Sequence, residues 1–91
     1  MSGYDWDPEK SLDNVAEHGI SFEKAEAAIR HPLARWFPDR AHSLDEERFW
    51  VFCPLPTGEL LLVVTSEGGP RPRIISAWRA TKRERREYEE Q

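Results

Sequence analysis

Residues 47–78, ERFWVFCPLPTGELLLVVTSEGGPRPRIISAW, decide the fold of this 91-residue chain. Three runs within this stretch, at 47–53, 60–65 and 73–78, are rich in aromatic, β-branched and other apolar residues. Such residues favour strands, and the Pro and Gly residues between the runs favour turns. The middle run is continuously apolar up to its last residue, which is typical of a strand buried on both faces. Three strands joined by short turns predict an antiparallel meander.

The last run also predicts which side chains share a face of the sheet. Strict alternation places Arg73 and Ala77 on one face and Ile74 and Trp78 on the other. We therefore expect Arg73 to point away from Trp78.

A first helix is predicted at 8–18, well before the meander. Asp7 supplies its N-cap, Pro8 suits its first turn, and Gly19 suits the left-handed conformation of a C-cap. Its apolar residues are spaced three and four apart, and we expect this stripe to face the core. The stripe consists of Leu12, Val15 and Ala16.

A second helix follows, and short strands flank the helical pair. Ser21 is its N-cap, and its end is predicted at His31-Pro32, because a residue before proline avoids the helical conformation. Residues 4–6 and 33–37 are the predicted flanking strands.

The sequence after the meander predicts a last helix. Thr81 and Glu84 form a capping box, and the helix is expected to run to about the end of the chain. The predicted order is therefore β-α-α-β-β-β-β-α. This is an α+β fold with a mainly antiparallel four- to five-stranded sheet, two N-terminal helices and one C-terminal helix. The length supports a single domain, 1–91.

Charge is unevenly distributed along the chain. The formal net charge is -4, yet residues 71–86 hold seven basic residues against the single acid Glu84. Such a segment can attract phosphate groups. The alternative is a solvated helix with balanced ends, because three glutamates follow, at 87, 89 and 90.

Several kinds of site and protein are disfavoured. Cys53 is the only cysteine, and a small buried thiol is preferred over a nucleophile. The histidines lack the close spacing of metal ligands, so we expect neither a metal nor another cofactor. The longest apolar run, 60–64, is too short for a bilayer, and the N-terminus lacks a signal-peptide pattern. We expect a cytoplasmic protein that does not bind membranes.

Several segments together resemble the BrnT family of bacterial toxins and cover nearly the whole chain. They are YDWDPEKSLDNVAEHGISFEKA at 4–25, HP at 31–32, FPDRAHSLDEERFW at 37–50, GELLLVV at 58–64, RIISA at 73–77 and RATKRERREYEE at 79–90. The resemblance implies a fold similar to that of the RelE and ParE toxins. It also implies a ribonuclease that cuts RNA without a metal and inhibits translation.

The same resemblance implies the partners of the chain. Toxins of this family are neutralised by an antitoxin, BrnA, which is encoded beside them and carries the DNA-binding part. We therefore expect an RNA substrate and a BrnA-like antitoxin, and we expect contact with DNA only indirectly, through the antitoxin.

Two positions depart from the usual pattern of the family. Trp78 and Gly68 stand where the family usually or often has arginine. If either arginine binds phosphate in the family, this chain is a weak or inactive nuclease. The alternative function is then an inactive BrnT-like partner that binds the antitoxin and supports repression of the operon. A nucleic-acid-binding module unrelated to toxicity is a third hypothesis.

RNA cleavage without a metal needs a base for the 2′-hydroxyl, positive charge for the transition-state oxygens and an acid for the leaving oxygen. Arg73 is the first candidate for the positive charge, because it stands on a strand beside apolar residues; an ion pair with Glu47 is the alternative. Arg79 is the second candidate. It shares a face with Arg83 and Arg86 if the last helix extends back to it.

Three other residues are predicted to be catalytic. His42 lies in the 38–44 loop, and histidine is a natural acid–base group near neutral pH, although a solvated histidine is also common in a loop. Glu47 is a candidate base or an edge-strand charge that discourages aggregation. Tyr88 supplies a hydroxyl or packs on the core.

A further set is predicted to bind RNA. Trp78 stacks on a base or packs on the sheet, and His18 binds RNA or stabilises the C-terminus of its helix. The full set is Lys10, His18, Trp78, Lys82, Arg83 and Arg86.

Overall fold

The structure is a computed structural model that describes residues 3–42 and 47–90. Within these residues, three α-helices accompany one four-stranded sheet, which confirms the predicted α+β fold. None of these helices is long and apolar enough to cross a membrane. The elements are α1 (Pro8–His18), α2 (Phe22–Ile29), β1 (Arg35–Pro38), a 3-10 turn (Arg40–His42), β2 (Arg48–Pro54), β3 (Leu60–Ser66), β4 (Arg73–Arg79) and α3 (Lys82–Glu90).

The four strands lie in the sheet in the order in which they occur in the chain. Every neighbouring pair is antiparallel, as a meander requires. β3 lies between β2 and β4, and its whole length is buried. Its continuous apolar run correctly predicted this central position.

The N-terminal segment contributes less to the sheet than the strand predicted at 4–6. Among these residues only Asp5 joins the sheet, through a single parallel bridge to Arg73. Two backbone hydrogen bonds of 2.9 Å hold this bridge. Pairing stops there because Asp7 already caps α1, where its side chain accepts a hydrogen bond from the Glu9 N–H.

α1 turns a polar face to the sheet, so the prediction that its apolar stripe faces the core is wrong. Leu12 and Val15 are 71% and 45% exposed, and Ala16 is exposed as well. The buried residues of the helix are Ser11 and Asn14. The reason is that α1 packs on β4, an edge strand, where polar side chains satisfy backbone groups that no further strand pairs with.

The Asn14 amide closes the outer edge of β4. Its Nδ2 donates to the carbonyl oxygens of Ala77 and Ile20, both at 2.8 Å. Its Oδ1 accepts from the Ala77 N–H at 3.4 Å. The side chain thus pairs with a strand residue through both a donor and an acceptor, much as a neighbouring strand does.

β4 contains one residue more than its partner β3 requires. The pairing shifts between Val64 and Thr65, and Ile75 is the extra residue of a β-bulge. The bulge reverses the alternation for the rest of the strand. Ile74 and Ala77 therefore enter the same core, and the prediction that they lie on opposite faces is wrong.

The sheet separates two hydrophobic clusters. α1 and α2 cover one face, and the core beneath them includes Phe22, Ala25, Ile29, Val51, Cys53, Leu61, Val63, Ile74 and Ala77. On the other face α3 packs on a smaller cluster, which we call the α3-side cluster. It consists of Phe52, Leu60 and Leu62, with Phe37, Trp50, Trp78, Ala80 and Tyr88 packed around them.

Replacing Asn14 by alanine is expected to destabilise the fold by roughly 2–4 kcal/mol, since buried carbonyl and N–H groups lose their partner. Asn14→Asp should also be damaging, because a carboxylate has no hydrogen to donate to either carbonyl. Asp13→Ala, at the exposed neighbouring position, is the control and should change stability by about 0.5 kcal/mol or less. Urea unfolding measures all three variants. Equal urea midpoints for Asn14→Ala and Asp13→Ala would contradict the role of the Asn14 amide as the partner of the β4 edge.

Candidate functional site

The sheet face opposite α1 and α2 carries two aligned arginines. Arg48 of β2, Ser66 of β3 and Arg73 of β4 are register partners, so their side chains leave the sheet on the same face. Trp50 and Phe52 follow on that face of β2, two and four residues along. The two guanidinium groups thus stand two strands apart, roughly 10 Å between backbones, at the end of a surface that is otherwise aromatic.

A groove of about 340 Å³ lies on the same face. It is lined by Phe37, Pro38, Asp39, Arg40, Trp50, Phe52 and Glu87. Phe37 packs edge-on against Phe52, with ring centroids 5.6 Å apart. Trp50 Nε1 donates a hydrogen bond of 2.9 Å to Asp39 Oδ2, which fixes the orientation of the indole. The groove therefore combines rigid aromatic surfaces with charged groups.

Arg73 is exposed at the start of β4. In the described part of the chain its guanidinium forms no ion pair, so the alternative pairing with Glu47 does not occur there. The bulge places Arg73 and Trp78 on the same face of the sheet, whereas strict alternation predicted opposite faces. Arg73 is thus a cation directed to the candidate site.

Glu47 and His42 lie on either side of residues 43–46, which are outside the described part of the chain. Glu47 is exposed and directly precedes Arg48, and its carbonyl oxygen accepts a hydrogen bond of 2.7 Å from the Glu67 N–H. It therefore lies at the same end of the sheet as Arg48 and Arg73. His42 ends the 3-10 turn that follows β1, and its side chain lies outside the described part.

Arg79 lies apart from Arg73, at the other end of β4. Its Nε forms an ion pair of 3.0 Å with Glu59 Oε2, and one of its terminal nitrogens donates to the His18 carbonyl at 3.1 Å. It thus ties the end of α1 to the sheet. Because α3 begins at Lys82, Arg79 does not share a helical face with Arg83 and Arg86.

Tyr88 and Trp78 are parts of the α3-side cluster. Tyr88 packs on Phe52 at a centroid distance of 5.6 Å, and the Arg35 guanidinium lies 5.6 Å from the centre of its ring. Trp78 contacts Trp50 edge-on at 5.8 Å, and its Nε1 donates to Glu84 at 3.1 Å. Both rings therefore hold α3 on the sheet beside the groove.

The remaining predicted RNA-binding residues are exposed and fall into two groups. His18 and Lys10 belong to α1, and the His18 ring lies 6.4 Å from the Trp78 ring. Lys82, Arg83 and Arg86 belong to α3, on the groove side of the sheet. The structure therefore places the α3 cations on the same side of the sheet as Arg73, although α3 begins beyond the opposite end of β4, and it leaves Lys10 on the helix that packs at the β4 edge.

The chain matches the family model described as "Ribonuclease toxin, BrnT, of type II toxin-antitoxin system" over residues 6–84. The match spans α1 to the first turn of α3. The chain belongs to the BrnT family. A search of curated proteins gave no match. The description of the BrnT family names a ribonuclease, so the cationic and aromatic sheet face is a candidate surface for contact with RNA.

Sequence reasoning missed several residues that this BrnT-family fold brings to the site. The sequence pattern indicates only that Arg48 belongs to a largely apolar strand, although its place two residues before Trp50 puts both side chains on one face. Arg40, Asp39 and Glu87 come from separate elements, and no local pattern links them. Only the strand register and the position of α3 bring them together.

Among residues 3–42 and 47–90, no three His, Cys, Asp or Glu side chains are arranged to hold a metal ion. Cys53 is buried, and burial raises the pKa of its thiol to about 12. The thiol is therefore protonated at neutral pH, which agrees with a packing role in the core rather than a nucleophilic one.

We expect Cys53 to resist alkylation at pH 8 in the native protein and to react at once in urea. The raised pKa also stabilises the fold with the thiol protonated. This contribution is fully present below the ordinary pKa of 9.0 and is lost as the pH rises towards about 12. Mass spectrometry after iodoacetamide treatment measures the alkylation. Rapid native alkylation would contradict the buried placement, and Cys53→Ala is the reagent control.

Proposed function

We propose that this ribonuclease toxin cleaves RNA on the sheet face that carries Arg48 and Arg73, without a metal ion. The observation that carries the proposal is the register row of Arg48, Ser66 and Arg73 beside an aromatic groove. Planar guanidinium groups remain charged at all relevant pH values and match the oxygens of a phosphate. They supply positive charge where a metal-dependent nuclease uses a cation.

The reaction is an attack of a ribose 2′-oxygen on the adjacent phosphorus. The new O–P bond forms a 2′,3′-cyclic phosphate, and the bond from phosphorus to the 5′-oxygen of the next nucleotide breaks. A base takes the 2′-hydroxyl proton, and an acid protonates the leaving 5′-oxygen. We assign the arginines to the negative charge that develops on the phosphate oxygens.

Glu47 and His42 are the proposed base and acid. Glu47 lies at the sheet end that carries the half-buried Arg48 and the exposed Arg73. His42 belongs to the segment that leads from the groove residue Arg40 towards Glu47. The Asp39 N–H donates to the Arg48 carbonyl at 2.8 Å, so the chain that leaves β1 and the chain that enters β2 lie at the same end of the sheet. Tyr88 and Arg79 are proposed as supports, because their contacts hold α3 and α1 in place.

A protein antitoxin is the partner that a type II toxin family implies. We propose that a BrnA-like antitoxin covers the cationic face, so that the complex does not cut RNA. In its absence the toxin would cut RNA in the cytoplasm and inhibit translation, aided by Lys82, Arg83 and Arg86 on α3. Contact with DNA would come only through the antitoxin.

A second candidate function rests on Trp78 and Gly68, which stand where the family usually or often has arginine. Trp78 is built into the α3-side cluster, where it contacts Trp50 and Glu84. An apolar residue at that position removes a cation from the face. The second candidate is therefore a toxin homologue that binds the antitoxin without cleaving RNA.

Arg73→Ala is expected to lower the cleavage rate of a defined RNA about 10²–10³-fold, by analogy with other lost contacts to a transition-state oxygen. The assay uses antitoxin-free protein in EDTA. Lys24→Ala removes one positive charge from exposed α2, behind the sheet, and is the matched control with an expected change below about twofold. Circular dichroism checks that both variants keep the fold.

The outcomes separate the candidates. Full activity of Arg73→Ala would contradict the proposed site. Loss of activity in EDTA that added Mg²⁺ restores would contradict metal independence. Absence of cleavage by the unaltered protein, on naked RNA and on ribosomes, would favour the inactive antitoxin-binding homologue.

A further inference from the structure

The groove on the α3 side has features that cleavage alone does not require. Its volume of about 340 Å³ falls within the range of about 300–1,000 Å³ that is typical of ligand pockets. Phe37 and Trp50 are partly exposed within it, and the hydrogen bond from Trp50 to Asp39 holds the indole in one orientation. Fixed aromatic rings of this kind are stacking surfaces for nucleobases.

Two side chains of opposite charge line the same groove. Arg40 comes from the 3-10 turn after β1, and Glu87 comes from α3; both are exposed. Within residues 3–42 and 47–90, neither has an ion-pair or hydrogen-bond partner. Both charged groups are therefore available to a ligand that enters the groove.

Among the four RNA bases, guanine complements both charges. Its O6 and N7 accept hydrogen bonds from an arginine fork. Its N1–H and its amino group at C2 donate side by side, which suits the two oxygens of a carboxylate. Adenine carries an amino group in place of O6 and has no N1–H, and the pyrimidines lack N7. Guanine alone thus offers two adjacent acceptors to Arg40 and two adjacent donors to Glu87.

We infer that the groove is a base-binding subsite selective for guanine, in which Arg40 and Glu87 read the two edges of the base. The inference rests on the proposed ribonuclease function, because the base belongs to the RNA whose phosphate lies at Arg48 and Arg73. Trp50 and Arg48 are two residues apart on one face of β2, about 7 Å along the strand. One nucleotide can therefore contact both the groove and the arginines.

Binding of the four nucleoside 3′-monophosphates to the full chain tests the subsite without any cleavage step. The probe is the indole N–H resonance of Trp50 in an NMR titration, assigned with Trp50→Phe. Guanosine 3′-monophosphate should bind most tightly. Glu87→Gln should weaken its binding about tenfold to a hundredfold, because the two donors of guanine lose their carboxylate. Glu90→Gln makes the same charge change on α3 outside the groove and should leave binding unchanged.

Equal affinity for all four nucleotides would overturn the inference, as would an unaltered guanine preference in Glu87→Gln. Equal losses in Glu87→Gln and Glu90→Gln would also overturn it, since they indicate an effect of net charge only.

Mapping of the cut sites on a long RNA tests the guanine subsite separately from the proposed ribonuclease function. The subsite is supported if the unaltered protein cuts preferentially next to guanine and Glu87→Gln cuts without that preference. Cleavage without base preference overturns the subsite and leaves the ribonuclease function standing. A uniform loss of cleavage in Glu87→Gln, with the preference kept, assigns Glu87 to proton transfer and also overturns the subsite. Selective binding of guanosine 3′-monophosphate without any RNA cleavage supports the subsite and overturns the proposed ribonuclease function.

Discussion

The extra residue in β4, Ile75, connects the core of this protein with its candidate site. Without the bulge, alternation would direct Ile74 and Ala77 to opposite faces, and one of them would leave the core beneath α1 and α2. The bulge buries both of them. It also turns Arg73 and Trp78 to the opposite face, where β2 contributes Arg48 and Trp50. A single unpaired residue therefore completes the core and aligns the cations.

The edge of β4 would be an open template for another strand if it were not covered. The Asp5 bridge covers its beginning, and the Asn14 amide pairs with Ala77 further along. α1 is thus placed by hydrogen bonds of polar side chains more than by burial of apolar ones. This explains why Ser11 and Asn14 are its buried residues while Leu12 and Val15 face outward.

Local signals predicted the elements of this fold well. The caps at Asp7, Ser21 and Thr81 mark the helix starts, because each side chain satisfies a specific backbone N–H. The apolar run of β3 marks the central strand, since only a strand covered on both faces needs such a run.

Features that depend on pairing between distant segments were not predictable in the same way. The bulge is a mismatch between two strands, and neither strand reveals it alone. The inward face of α1 depends on backbone groups of β4, more than 60 residues away. Arg73 was found from its isolation on a strand, but Arg48, Arg40 and Glu87 become neighbours of the site only through register and helix placement.

The central claim is that RNA lies on the α3 side of the sheet, across Arg48, Arg73 and the aromatic groove. Photo-crosslinking of a 2′-O-methyl RNA, which lacks the attacking hydroxyl, tests this most directly when peptides are identified by mass spectrometry. The account predicts crosslinks within 37–42, 48–52 and 73–78. Crosslinks confined to α1 and α2 would place the RNA on the opposite side of the sheet and contradict the account.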